Sequence, residues 1–254
     1  MTFLNSLILG VIEGFTEFLP ISSTAHLILA SKLLKFETSE FLKTFEISIQ
    51  LGAIASVIFL YKDTLFKNWK ALKKIIIAFL PTALVGFLFY KIVKNVFLEN
   101  PLVSIWALLL GGLAIIIFEK IYKKEERIDG FEKISDKKAF LIGLVQSVSI
   151  IPGVSRAAAT IFGGLGLGLS RKTAVEFSFL LAIPTMAAAS GFDLIKNFSN
   201  YSFSDLNLLI AGFLVSFSVA LASISFFLKY IKSNNFIPFG IYRIIIAVLF
   251  LLYL

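Results

Sequence analysis

The chain has no cysteine and a single histidine, and only 16% of its 254 residues are charged. The lack of cysteine excludes disulfides, thiolate catalysis and zinc–thiolate sites. Soluble domains have about 25% charged residues, so the low charge is unusual for a chain of this length. Together with a hydrophobic content of 58%, it indicates that most of the chain is dissolved in a lipid bilayer.

Long apolar runs are the most abundant feature of the sequence. Each is apolar all round, and none shows the alternation of a membrane β-barrel. A hydrocarbon core of about 30 Å requires about 20 apolar residues per helix. The pattern predicts an all-α integral membrane protein, with one membrane domain over 1–254 and six spans, at about 44–61, 75–90, 101–119, 174–192, 208–228 and 236–254.

The formal net charge of +8 comes from basic residues that cluster in short segments between the apolar runs. This is the pattern of cytoplasmic membrane loops, and we expect no nucleic acid as a partner. Segments 62–74 and 120–138 are predicted to be cytoplasmic, and so are the pairs Arg171 with Lys172 and Lys229 with Lys232. Three lysines fit less well, because they would lie outside: Lys32, Lys35 and Lys43.

Segments 3–34 and 139–170 are apolar, but each contains a proline followed by a hydroxyl-rich turn. Both are predicted to be broken helices. The chain also resembles itself: Leu9-Gly10, Glu13, Pro20, Ser23 and Glu46 align with Ile142-Gly143, Gln146, Pro152, Ser155 and Glu176. We predict two inverted halves, about 1–121 and 136–254, each with a broken re-entrant helical hairpin and about three transmembrane helices.

Two carboxylates interrupt the first apolar segment. Glu13 and Glu17 are four residues apart, so a helix places them on one face, one turn from each other. Two unpaired like charges would be costly in an apolar element, so either protons or a cation must compensate them. A divalent ion such as Mg²⁺ or Ca²⁺ suits these oxygen ligands. The alternative is a pair that faces headgroups or water.

Hydroxyl residues follow both helix breaks. After Pro20 they can cap a second half-helix, and Ser155 can do the same after Pro152-Gly153. Two buried helix N-termini and the guanidinium of Arg156 predict an anion site, and phosphate matches the forked geometry of arginine. Alternatively, Arg156 extends to the membrane interface. The predicted phosphate-binding residues at these two ends are Ser22, Thr24, Ser155 and Arg156.

His26 follows Ser23 by three residues, so the two side chains could share one helix face. His26 is a candidate general acid or base. Ser23 is a candidate nucleophile activated by His26, or it binds phosphate while a metal-bound water attacks. Candidate supporting residues are Glu46, Gln146 and Glu176, although Glu46 and Glu176 could instead hold the two halves together.

These motifs resemble a known family, the undecaprenyl-diphosphate phosphatases linked with bacitracin resistance. The resemblance covers nearly the whole chain and is most specific in residues 13–26 and 152–156 with Thr160, supported by 50–52 and 176–184. It implies that Glu13 and Glu17 form the acidic catalytic motif and that Ser23 and His26 belong to the reaction centre. It also implies a phosphate-binding motif of Ser155, Arg156 and Thr160.

The resemblance further implies hydrolysis of undecaprenyl diphosphate to the monophosphate carrier of peptidoglycan synthesis. We expect a multi-pass protein of the bacterial inner membrane whose active site opens to the outer face. It could form a homodimer. The chain departs from the family at two places, because Ala157-Ala158 replace Ser-Gly and Ala25 replaces a common glycine. Activity is expected to survive both departures.

Two other functions are open at this level. A transporter or flippase for a phosphorylated lipid or anion also uses inverted repeats with paired broken helices. It explains the architecture equally well, but it does not require a proton-transfer residue beside Glu13, Glu17 and Ser23. A structural membrane subunit predicts no buried polar cluster and fits worst.

Overall fold

The computed structural model describes residues 1–36, 39–97, 100–122, 128–197 and 206–253, with the backbone alone for residues 40, 94, 95 and 192–197. Within these ranges the chain is helical and has no strand, only an isolated bridge between Ile128 and Leu169. The α-helices are α1 Phe3–Thr16, α2 Ser23–Leu33, α3 Glu40–Leu60, α4 Lys62–Lys67, α5 Trp69–Ile92, α6 Pro101–Ile121, α7 Asp136–Gln146, α8 Arg156–Gly166, α9 Arg171–Asn197, α10 Leu206–Tyr230 and α11 Ile237–Tyr253.

The helices confirm an all-α, multi-pass membrane protein. Five of them, α3, α5, α6, α9 and α10, are long and apolar enough to cross a bilayer. The sixth predicted span, 236–254, is present as α11, which is apolar but has only 17 residues. Both predicted broken segments are interrupted, the first between Thr16 and Ser23 and the second between Gln146 and Arg156.

The predicted basic segments meet at one end of the molecule, which we call the basic end. Lys73 and Lys74 both bond the carboxylate of Asp136, at 2.9 Å from Lys73 Nζ. Arg171 donates two 2.6 Å hydrogen bonds to Glu119. Segments 62–74, 128–138 and 168–173 therefore lie together, while residues 123–127 of the predicted loop lie outside the described residues. That this end faces the cytoplasm stays a prediction.

The second broken segment enters from the basic end and returns to it. Its first helix, α7, begins at Asp136 beside Lys73 and Lys74. After α8 the chain pairs with Ile128, whose backbone N–H donates to the Gly168 carbonyl at 2.9 Å. Helix α7 has 11 residues and is therefore about 16 Å long, which is about half of a membrane crossing.

The first broken segment enters from the opposite end. Helix α1 packs against α10 in the same direction, with Gly10 against the Gly212 carbonyl and Gly14 against that of Ser216. A Cβ at Gly14 would lie 2.5 Å from that oxygen, so only glycine permits this approach. Helix α10 ends at the basic end, and α1 runs in the same direction, so α1 starts at the far end of the molecule. After the break, α2 returns to that far end, where α3 begins its run towards the basic end. The internal repeat, its boundaries and the single domain over 1–254 stay predictions.

Candidate active site

The last turn of α1 places two acids in the interior. Glu13 has no exposed surface, and neither of its carboxylate oxygens has a hydrogen-bond partner in the described part of the chain. Glu17 is 8% exposed and follows one turn later on the same face. The carboxylates of Glu17 and Glu46 are both within electrostatic range of Glu13. The guanidinium of Arg156 also acts on Glu13 electrostatically. The predicted acidic pair therefore exists, and the carboxylate of Glu13 has no hydrogen bond in the described residues.

Ser23, the first residue of α2, lies next to this pair. Its hydroxyl donates a 2.5 Å hydrogen bond to Oε2 of Glu17. The break between α1 and α2 thus folds the chain so that a carboxylate and a hydroxyl six residues apart are in contact.

Arg156, the first residue of α8, reaches the same carboxylate from the other broken segment. Its Nη2 and Nε lie 3.1 and 3.4 Å from Oε1 of Glu17, and its Nη1 donates to the Ser178 carbonyl at 2.7 Å. The side chain of Arg156 is 10% exposed, and its Cζ lies 5.9 Å from the ring centre of Phe18. Glu17 therefore joins Ser23 to Arg156, and the alternative, in which Arg156 extends to the membrane interface, is not what the structure shows.

His26 lies one turn further along α2 but is directed elsewhere. Its Nδ1 lies 2.7 Å from the carbonyl oxygen of Ser22, and its Nε2 lies 2.8 Å from the hydroxyl of Tyr242. The two aromatic rings are parallel, at an angle of 1°. The structure therefore pairs Ser23 with Glu17, whereas the sequence suggested that His26 activates Ser23.

The two helix caps share an unusual backbone conformation. Ser22 and Ser155 precede α2 and α8 with φ of 71° and 77°, a region that residues other than glycine seldom adopt. Ser155 Oγ accepts the N–H of Ala158 at 3.1 Å, while Thr24 is partly buried in the first turn of α2. By backbone conformation, the counterpart of Ser155 is therefore Ser22, whereas the internal alignment of the sequence paired Ser155 with Ser23.

Thr160 lies in a network of polar side chains in the interior. Its Oγ1 lies 3.0 Å from Oε1 of Gln146 and 2.9 Å from the Arg156 carbonyl. The amide nitrogen of Gln146 donates to Thr82 and Thr185 at 2.8 and 3.2 Å. This network joins α8, the helix that begins with Arg156, to α7, and joins α7 to α5 and α9. The predicted contact of Thr160 with phosphate stays a prediction.

Glu176 does not join the site in the described residues. Glu176 is partly buried on α9. Lys172 acts on it electrostatically, and Glu176 in turn acts on Tyr61. Glu46, its predicted counterpart, is instead within range of Glu13. The two acids are therefore in different surroundings.

Arg243 was missed by the sequence reasoning, although it connects both broken segments. It has no exposed surface and donates to five backbone carbonyls. One lies in the first break, at Pro20 (3.1 Å), and two lie in the second, at Gly153 (2.8 Å) and Val154 (2.9 Å). The other two belong to α6, at Ala107 (2.9 Å) and Leu108 (3.3 Å).

A signal for Arg243 was present in the sequence. It is the single charged residue in the run 236–254, and a charge inside a membrane span is costly unless it has a function or a partner. Five carbonyls use all five N–H donors of a guanidinium. Arg243 therefore holds together the two breaks that place Ser23 and Arg156.

A divalent cation fits part of this centre. No group of three or more His, Cys, Asp or Glu side chains that could hold a metal occurs among the described residues. Glu13 nevertheless offers two buried oxygens without partners, next to Glu17. Mg²⁺ is often held by one or two carboxylates and completed by water and substrate phosphates. The residues fit a cation of that kind and do not form a complete metal cage.

Comparison with known proteins places these residues in a family. The family model described as "Bacitracin resistance protein BacA" matches residues 6–249. A protein of Sulfurihydrogenibium sp. is 51% identical over all of both chains, and one of Persephonella marina is 50% identical over all of this chain and 99% of its own. One of Aquifex aeolicus is 46% identical over 98% of each chain.

All three of these relatives are named undecaprenyl-diphosphatase. The match extends over both broken segments and α11, so it includes every site residue described above. The chain belongs to the BacA family of bacitracin resistance proteins.

Proposed function

We propose that this protein hydrolyses undecaprenyl diphosphate to undecaprenyl phosphate and inorganic phosphate, which recycles the lipid carrier for peptidoglycan synthesis. The observation that carries the proposal is the contact of one buried carboxylate, Glu17, with both a hydroxyl and a guanidinium. Relatives named for this activity match the chain over their full length.

The terminal phosphate of the lipid binds where the two breaks meet. Its negative charge competes with Glu17 for Arg156, whose planar donors match phosphate oxygens. The N-termini of α2 and α8, which begin at Ser23 and Arg156, add backbone N–H groups and positive dipole ends. Ser22, Thr24 and Ser155 are the hydroxyls at these ends, and Thr160 lies one turn further along α8.

The short bond from Ser23 to Glu17 supports Ser23 as the nucleophile. Ser23 Oγ attacks the terminal phosphorus and gives its proton to Glu17, while the bond from phosphorus to the bridging oxygen breaks. The lipid monophosphate leaves, and water then cleaves the phosphoserine to release inorganic phosphate. The proton that Glu17 takes from Ser23 passes to the leaving oxygen, and we assign His26, acting as a base, to the water that cleaves the phosphoserine. Burial strengthens each of these electrostatic contacts.

Glu13 and Glu17 would hold a divalent cation, Mg²⁺ or Ca²⁺. When bound, such an ion neutralises phosphate charge and positions the terminal group. The support is the pair of oxygens on Glu13 that have no hydrogen-bond partner among the described residues. Glu46 and Arg156 are both within electrostatic range of Glu13.

We place the active site in the bacterial inner membrane, open to the outer face. The support is the clustering of Lys73, Lys74 and Arg171 at one end, which the positive-inside rule assigns to the cytoplasm. The acidic segment enters from the other end. A homodimer remains part of this proposal, because a membrane assembly can form through the exposed apolar helix faces.

A transporter or flippase is the second candidate, because broken segments that enter from opposite ends also suit an anion carrier. It is less well supported than hydrolysis, since the relatives that match the whole chain are named for the phosphatase. Phosphate release from the lipid separates the two functions. Wild-type protein that moves the lipid without releasing phosphate would favour transport.

The test is phosphate release by protein purified in detergent with a polyprenyl diphosphate. Ser23→Ala should abolish turnover, and Arg156→Ala should lower it by about 10²–10³-fold, the usual effect of losing one donor to a developing oxyanion. The matched control is Ser225→Ala, since Ser225 is exposed on α10 and bonds only its own helix in the described residues. Full turnover by Ser23→Ala would assign the attack to water, and full turnover by Arg156→Ala would remove Arg156 from the site.

A further inference from the structure

We infer that Tyr242 is a positioning residue of the active site, which holds His26 as one tautomer with its proton on Nδ1. This inference rests on the proposed function in one respect, because it takes His26 as the proton-transfer group. It concerns a residue of α11 that lies 216 positions from His26.

The partner of Nδ1 in His26 decides whether this nitrogen carries a hydrogen. This nitrogen lies 2.7 Å from the backbone oxygen of Ser22, and a carbonyl oxygen only accepts hydrogen bonds. Nδ1 must therefore carry a hydrogen. The bond is local, since Ser22 caps the helix on which His26 lies, so folding of α2 is sufficient to set it.

The other ring nitrogen, Nε2, lies 2.8 Å from the hydroxyl of Tyr242. A hydroxyl can donate or accept, so the charge of the ring decides the direction. His26 is buried, and the buried guanidinium of Arg243 bonds the Pro20 carbonyl, two residues before Ser22. Burial and a neighbouring cation both disfavour a positive charge on the ring. The ring is therefore neutral, and Nε2 accepts the O–H of Tyr242.

The contacts of His26 also fix the orientation of its ring. The rings of His26 and Tyr242 are parallel, with centroids 5.5 Å apart, and each ring nitrogen of His26 has one partner. Tyr242 is in turn fixed by its neighbour in sequence, because Arg243 bonds five backbone carbonyls of three segments. Helix α11 thus sets the plane and the tautomer of His26.

The arrangement has a functional consequence. Tyr242 is 38% exposed and His26 is 8% exposed, so the tyrosine lies on the outer side of the pair. With the hydroxyl in place, the lone pair of Nε2 accepts the Tyr242 O–H, so a proton reaches Nε2 from the direction of that hydroxyl. Without it, the ring can turn or change tautomer, and the proton-transfer step loses alignment.

The test uses the fact that His26 is the single histidine of the chain, so nitrogen NMR of protein with ¹⁵N-labelled histidine reports on this ring alone. Wild-type protein in detergent should show a neutral ring with a protonated Nδ1 and an unprotonated Nε2. Tyr242→Phe keeps the ring and removes the hydroxyl, so the Nε2 resonance should shift. Tyr230→Phe is the matched control, because its hydroxyl bonds the Asn235 carbonyl near the basic end.

Kinetics give a second readout. Tyr242→Phe should lower kcat by about tenfold or more with little change in KM, since a lost orienting partner costs part of the factor that acid–base catalysis supplies. An unchanged thermal midpoint shows that the variant is folded. A wild-type ring protonated on Nε2 alone, or Tyr242→Phe with a wild-type spectrum and kcat, would overturn the inference. Absence of phosphate release by wild-type protein would instead contradict the proposed function. The NMR spectrum would still report whether Tyr242 sets the tautomer of His26.

Discussion

Replacing Gly111 by alanine tests whether Arg243 holds the two breaks in place. An added Cβ would lie 2.8 Å from Cζ of Arg243 and closer still to Nη2, whereas ordinary contact begins at 3.4 Å. The guanidinium must therefore move by at least about 0.6 Å (3.4 − 2.8). A flexible arginine could do so at little cost, but this one is completely buried and uses all its donors.

The cost follows from the bonds of the displaced nitrogen. Nη2 donates to the carbonyls of Ala107 and Gly153 at 2.9 and 2.8 Å, and hydrogen bonds from charged groups contribute about 1.5–3 kcal/mol each. Loss of both costs about 3–6 kcal/mol, and the higher helix propensity of alanine returns about 1 kcal/mol. We expect a net loss of about 2–5 kcal/mol of stability, and lower activity because Gly153 precedes the cap of α8.

The matched control is Gly86→Ala on α5, where an added Cβ has no atom within 4 Å. It makes the same chemical change within a membrane helix and should leave the thermal midpoint and phosphate release unchanged or slightly higher. The measurements are thermal unfolding in detergent and phosphate release for both variants. Equal stability and activity of Gly111→Ala and Gly86→Ala would refute the role assigned to Arg243.

Three further predictions concern charges. Glu13→Gln should weaken the dependence of phosphate release on divalent metal, because it removes one of two ligands; an unchanged metal titration would exclude Glu13 as a ligand. Hydrogen bonds from Lys74 and Lys73 lower the pKa of Asp136, so their stabilisation is complete above the usual carboxyl pKa and is lost as pH falls through the lowered value. Asp136→Asn should remove this acid-range loss from the thermal midpoint, and an identical pH profile would contradict it. Glu119→Gln, which breaks a partly buried ion pair with Arg171, should destabilise by about 1.5–3 kcal/mol, more than Asp63→Asn in an exposed pair.

Much of the fold was predictable because its causes are local. Hydropathy located the long helices, since a span needs only enough consecutive apolar residues. Proline and serine located both breaks, since a missing N–H ends one helix and a hydroxyl caps the next. The spacing of Glu13 and Glu17 placed both acids on one face. The family resemblance rested on these same motifs, and the comparisons confirm it.

The partners within the site were less predictable. Spacing along α2 suggested His26 as the partner of Ser23, but the break folds Glu17 back to within 2.5 Å of Ser23 instead. Thr160, which the resemblance assigned to phosphate, bonds Gln146 in this structure, and its contact with phosphate stays a prediction. Spacing along a helix gives the face on which a side chain lies, but not the group from another segment that it contacts.

The sequence by itself determined that this chain spans a membrane, where its helices break and which acids and guanidinium lie near the breaks, because hydropathy, capping and helical spacing act over a few residues. Only the tertiary structure decided that Glu17 joins Ser23 to Arg156, and that Tyr242 and Arg243 complete the site. Those contacts join residues up to 223 positions apart, and they depend on how helices pack, which no local rule specifies.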